Sequence, residues 1–309
     1  MRVKICIAVL LVIVLQPVLM AQQVPITSQY LTNGLVINPA YAGTREALSA
    51  NLSYRKQWVR ITGAPQFQTL SLHSPINNKE KVSLGLMADY LTYGVTKDVG
   101  IYAFYAYSVR MGKGKLSMGL KGGLDLSNTN YNRLQFPDGN PVDPLLTGDM
   151  KYTLPNVGAG VYYYTDRYFA GLSVPSLLTY RRDEADQFKV TPDYTHFKTY
   201  FSAGTLIRFA DAFKVKPSVL VRYSMHEPIE VDLNANLIFG DLLWVGSSYR
   251  IAEKAVVALL DLQITPQLKL GYSYDYQLGH LSNYTSGTHE VSIRYEFEYS
   301  VIATSPRYF

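Results

Sequence analysis

The chain has 309 residues, with 29 Lys+Arg against 24 Asp+Glu, a formal net charge of +5 and one cysteine. So mild a positive balance gives no argument for nucleic-acid binding, and a single thiol, Cys6, excludes a disulfide framework and a cysteine metal site. Tyrosine is abundant, 26 residues beside 12 Phe and 22 Gly, a mixture that alternating strands with aromatic bands use well.

Arg2 and Lys4 precede an apolar stretch from Ile5 to Leu15, and Leu19-Met20-Ala21 has the small-residue character of a cleavage site. Residues 1–21 therefore read as a secretory signal peptide, too short in its apolar part to anchor a membrane. Cys6 falls inside it, too early for a lipid-attachment cysteine. The mature chain then carries a charge of about +3.

Residues 22–44 show no strand period. Pro25, Asn33-Gly34 and Asn38-Pro39 punctuate them, while Leu31, Leu35, Val36, Ile37 and Tyr41 supply apolar surface. An ordered periplasmic lead-in is expected, or else a plug-like segment that enters or caps the periplasmic mouth.

From residue 45 to 309 the hydrophobic period is two. In KLSMGLKGGLDLS, Leu116, Met118, Leu120, Leu124 and Leu126 oppose Lys115, Ser117, Lys121, Asp125 and Ser127. IEVDLNANLIF, LKLGYSYDYQ and EVSIRYEFEY repeat the pattern. Segments of roughly ten to twelve residues suit tilted membrane-crossing strands and exceed the usual globular strand. About fourteen are expected, beginning near Arg45, Gln66, Lys81, Val99, Lys115, Val157, Tyr168, Phe197, Phe213, Ile229, Leu242, Ala255, Leu268 and Thr288.

The connections sort by length. With a periplasmic amino terminus, NNKE, MGKGK, TDR, ADA, GD and TPQ are periplasmic turns, and the long links after Ser127, Thr179 and Gln277 lie outside. Hydrocarbon leaves backbone N–H and C=O groups without water, so a spanning sheet must close. The fold expected is an all-β, closed antiparallel transmembrane barrel of about fourteen strands, integral to the outer membrane. In the first strand Leu48, Ala50, Leu52 and Tyr54 face lipid, and Ser49, Asn51, Ser53, Arg55 and Gln57 face inward. Trp58 is expected at the outer interface, with Lys56 snorkelling beside it.

The inward set carries charges of both signs: Arg55, Lys121, Asp125, Lys214, Lys216, Arg222, Glu230, Asp232, Arg250, Asp275, Arg294 and Glu296. A mutually paired interior is the plainer expectation; a selective pore or a plug-docking surface is the sharper one. No HExxH, P-loop or GxSxG is present, and the five histidines form no close ligand pair, each reading as a loop or rim residue. Ser71 and His73 share a face, but a lipid-facing hydrolase pair needs more than that. Asp138, Asp143 and Asp149 sit in a turn-rich link that reads as a flexible loop before it reads as a calcium site. No catalytic, cofactor or metal site is expected.

INPAYAG (Ile37 to Gly43), followed by RKQW (Arg55 to Trp58) and GAP (Gly63 to Pro65), resembles the PorP/SprF family of Bacteroidetes outer-membrane proteins. The later KVSLGLMADY and GKLSMGLKGGLDLSNTNYNRL are similar to that pattern too, so the resemblance covers essentially the whole mature chain. It implies a role in type IX secretion, assisting export or surface retention of large adhesins alongside other secretion components, with gliding motility in some relatives. It implies no enzyme activity and no cofactor. The family-like positions are Asn38, Pro39, Ala40, Tyr41, Gly43, Arg55, Gln57, Trp58, Gly63, Ala64 and Pro65, for which structural roles are expected: Pro39 bending the chain into the first strand, Gly43 turning it, Pro65 starting the second strand. The rival function is a passive or solute-specific porin.

Overall fold

The structure, a computed structural model, describes residues 27–76, 81–133, 149–182, 188–191, 194–210 and 212–297. The strands in chain order are β1 (Leu48–Lys56), β2 (Gln66–Pro75), β3 (Val82–Tyr93), β4 (Thr96–Met111), β5 (Gly114–Asn130), β6 (Asp149–Tyr164) and β7 (Tyr168–Val174). A small hairpin of β8 (Thr179–Arg182) and β9 (Phe188–Thr191) follows. Then come β10 (Thr199–Thr205), β11 (Ile207–Ala210), β12 (Phe213–Ser224), β13 (Glu227–Phe239), β14 (Leu243–Arg250), β15 (Ala255–Gln263), β16 (Leu268–Gln277) and β17 (Thr288–Phe297).

Each wall strand pairs antiparallel with its neighbours. The ring closes between β1 and β17, with Ser49 opposite Glu296 and Arg55 opposite Glu290. It is continuous on the far side through β7, β10 and β12. β10 and β11 form one stave interrupted at Leu206, whose N–H still bonds the Arg167 carbonyl at 2.6 Å. The wall is thus a closed fourteen-stranded barrel, the only sheet arrangement that leaves no backbone edge toward lipid.

The alternation in the sequence is the alternation of the wall. Along β1, Ser49, Asn51, Ser53 and Arg55 are buried while Leu52 and Tyr54 are exposed. Met118, Leu120, Leu124 and Leu126 of β5 face out, as do Ile229, Leu233, Leu237 and Phe239 of β13 and Val291, Ile293 and Phe297 of β17. These side chains make the apolar band that lipid solvates.

The links at one mouth are all short, around 112–113, 165–167, 240–242 and 264–267 among those described. The longest, between β5 and β6, between β7 and β10 and between β16 and β17, share the other mouth. We refer to these as the short-turn and long-link mouths.

Several boundaries differ from the reading of the sequence. β1 starts at Leu48, since Arg45 to Ala47 belong to the turn that feeds it. β4, β5 and β6 reach 16 or 17 residues, longer than the ten to twelve expected. β6 begins at Asp149, not near Val157, because its early part faces Lys151 and Thr153 outward and Leu154 inward. That stretch inverts the apolar-out pattern, yet β5 still supplies a complete ladder for it, Asn130 opposite Asp149. Ladder bonding, not amphipathicity, makes it a strand. Of the three aspartates weighed as calcium ligands, Asp138 and Asp143 lie outside the described residues, and Asp149 is the first residue of β6. Residues 1–26, including the expected signal peptide, also lie outside them.

Candidate functional site: the segment inside the barrel

Residues 27–45 lie within the ring, and their orientation is lengthwise. Thr27 and Ser28 meet Glu290 and Asp275, near the long-link ends of β17 and β16. Arg45 meets Glu296, at the short-turn end of β17, with Nε to Oε1 at 2.7 Å. Two short 3-10 turns, Gly34–Val36 and Pro39–Tyr41, compact the chain between these ends.

One wall holds the segment by charge. The Ser28 hydroxyl donates to Asp275 Oδ1 at 2.8 Å and accepts from Arg55 Nη1 at 2.7 Å and Arg250 Nη2 at 2.8 Å. Arg55 Nη2 is 2.7 Å from Asp275 and its Nη1 3.1 Å from Glu290, and Arg250 Nη1 lies 3.1 Å from Asp275. The Ser28 N–H donates to Glu290 at 2.7 Å, and the Thr27 hydroxyl donates to the same carboxylate. Arg222 continues the network to Glu230 at 2.5 Å and Asp232 at 3.3 Å. Charges this deeply buried persist only when each is paired and its remaining sites are hydrogen-bonded. The segment supplies part of that bonding.

Midway, Asn33 Nδ2 donates to Asn51 at 3.3 Å while its Oδ1 accepts from the Ser71 hydroxyl at 3.2 Å. The Ser173 hydroxyl donates to the Ile37 carbonyl at 2.6 Å. Tyr30 accepts from Asn234 at 2.5 Å.

The opposite wall holds the segment by shape. Asn38 caps the Pro39–Tyr41 turn, its Oδ1 accepting from the Ala40 N–H at 2.9 Å, and its Nδ2 donates to the Val161 carbonyl at 3.0 Å. A Cβ on Gly160 would overlap the Asn38 side chain, and one on Gly119 would overlap the Pro39–Ala40 backbone. Tyr41 sits edge-on between His73 and Tyr162, with ring centroids 5.7 Å away in both cases. Gly43, with φ +76°, turns the chain toward β1, and its N–H donates to His73 Nδ1 at 3.1 Å. A side chain there would be strained and would overlap Ser83.

The family-like residues therefore fall into two groups. Asn38, Pro39, Ala40, Tyr41 and Gly43 fill the lumen, and Arg55 holds the far end of the same segment. Gln57, Trp58, Gly63, Ala64 and Pro65 build a loop on the long-link mouth. There the Gln57 N–H donates to the Pro65 carbonyl at 2.9 Å and the Ala64 N–H to the Ile61 carbonyl at 3.2 Å. The Gly63 carbonyl accepts from Gly94 at 2.8 Å, tying the loop to the β3–β4 turn. Val59 exchanges bonds with Gly287 and Ser286, at 2.9 Å each, and the Trp58 N–H donates to Thr288 at 3.1 Å. Trp58 adopts φ +47°, and its half-buried ring has an enclosed Nε1. It packs into the long-link mouth.

His73 departs from the sequence reading. It is not a rim residue: it is 4% exposed, faces inward and receives the segment. Ser71 shares that face and bonds Asn33, so the pair does not look out to lipid. Ser28, Glu290, Gly119 and Gly160 were not singled out from sequence. Glu290 is visible as an inward position of β17, but nothing local marks Ser28 or the glycines as partners across the lumen.

The family of type IX secretion system membrane proteins PorP/SprF matches residues 19–295. The chain belongs to the PorP/SprF family. Among solved structures it is similar to the outer membrane protein Omp33 of Acinetobacter baumannii, at 8% identity and a TM-score of 0.50, covering 82% of this chain and 100% of that one. A Pseudomonas aeruginosa FadL homologue is similar at 12% identity and a TM-score of 0.44, over 89% and 95% of the two chains, and the KdgM porin at 10% and 0.39, over 81% and 99%. At such identity Omp33 speaks to fold alone. No curated protein matches the chain. Fold and family together place this PorP/SprF protein in the outer membrane, solvated by lipid around its apolar band.

Proposed function

We propose that this PorP/SprF protein assists the export or surface anchoring of large proteins, adhesins among them, as one component of type IX secretion. The observation that carries the reading is the family match across nearly the whole barrel. The second support is the lumen, whose wall is engaged by the chain's own residues 27–45. A passive porin, the rival reading, depends on a continuous aqueous channel, and a segment bonded to opposite walls works against one.

Cargo contact belongs to the mouths and their links, where long exposed loops on a rigid scaffold commonly carry function. Such contact needs no cofactor. We propose no catalysis, since Ser71 and His73 are committed to Asn33 and Gly43. Deleting the gene is expected to strip a specific large protein from the cell surface and leave small-solute uptake intact; the opposite pattern overturns the reading. In planar bilayers the purified protein is expected to show no stable open channel.

A further inference from the structure

The direction of the internal segment carries a consequence for topology. β1 leaves from the short-turn mouth, and Arg45, just before it, is bonded to Glu296 there. Eighteen positions earlier, Thr27 is bonded to Glu290, toward the other end of the same strand. Glu290 and Glu296 are six residues apart on β17, about 20 Å along an extended strand. Between them the segment touches β1 and β2 through Asn33, β7 through Ile37, and β5 and β6 through Asn38 to Ala40. The chain thus enters the lumen at the long-link side and descends to the short-turn side before the first strand begins.

The geometry points to a segment threaded from the outer side: Thr27 stands at the long-link mouth, toward the outer face of the membrane, and residues 27–45 are a permanent filling of the lumen. Short turns lie inside and long links outside in outer-membrane barrels. The segment is bound at both ends and in the middle, by ion-paired side chains on one wall and by glycine-made space on the other. Withdrawal would leave Asp275 and Glu290 without the Ser28 donors in a buried network. The inference is independent of the secretion reading.

Two variants of the full protein test it. One carries a specific protease site between Ile26 and Thr27, the other the same site between Gly112 and Lys113. Folded barrel in each is verified by a heat-modifiable band. The first site is expected to be cut on intact cells, and the second only after permeabilisation. Cutting of the first only after permeabilisation, or identical behaviour of the two, overturns the proposal. Independently, cysteines are placed at Asn33→Cys and Ser71→Cys, whose side chains meet at 3.2 Å. They are expected to cross-link in nearly all folded molecules, the native Cys6 lying in the expected signal peptide. A minor cross-linked fraction in folded protein overturns the permanent filling.

Discussion

Arg55 on β1 and Asp275 on β16 meet at 2.7 Å, with side chains 2% and 0% exposed and the hydroxyl of Ser28 bonded to both. The contact joins the wall to the segment inside it. Neither partner has water to fall back on, so the pair and its serine act as one unit.

Arg55→Gln is expected to destabilise the barrel by about 3–5 kcal/mol, because Asp275 and Glu290 then stay buried with less compensation. The check is the temperature at which the heat-modifiable band shifts. The double variant Arg55→Gln with Asp275→Asn is expected to lose less than the sum of the two single changes.

Gly119→Val is expected to push the segment off its wall, since even a Cβ there overlaps Pro39 and Ala40. Limited proteolysis should then cut within residues 27–45, and planar-bilayer conductance should rise. Gly122, three positions along β5, has nothing within 4 Å of a Cβ. Gly122→Ala is expected to change stability by no more than about 0.5 kcal/mol, which makes it the control.

His73→Leu is expected to cost about 1–3 kcal/mol by leaving the Gly43 N–H buried without its acceptor. The loss should appear as a lowered denaturation midpoint, without any change in lipid partitioning. An unchanged midpoint would show that Gly43 finds another acceptor.

Leu120→Arg places a charge on the lipid face, at a side chain 61% exposed in the middle of β5. The expected cost is about 2–4 kcal/mol if that position lies at the bilayer midplane. Equilibrium folding into lipid vesicles measures it.

Much of the wall was legible because the lipid face and the lumen face impose period two on every stave. All twelve charges assigned to the interior, from Arg55 to Glu296, lie on strands at inward positions. Fourteen staves and the sorting of long and short links also follow from local pattern. The start of β6 was not legible, since Lys151 and Thr153 face outward where the pattern demands apolar residues. Nor was the lumen. Asn38 and Tyr41 could be seen as motif residues, but their partners Val161, His73 and Tyr162 are set by closure, which no local period encodes. His73 looked like a rim histidine because its position near the end of β2 says nothing about what enters the barrel. The partners of the Trp58 loop, Thr288 and Gly287, likewise come from the other end of the chain and leave no local signal.

Ser28 and Asp275 are separated by 247 positions. A ribosome must finish nearly the entire polypeptide before the hydroxyl can reach this carboxylate, although Arg55, its other partner, is only 27 positions away. The seam between β1 and β17 waits on the same late part of the chain, since β17 is the last strand. Closing the wall and completing the network around Ser28 both depend on the final strands, and pairing along so large a sequence distance makes those steps slow.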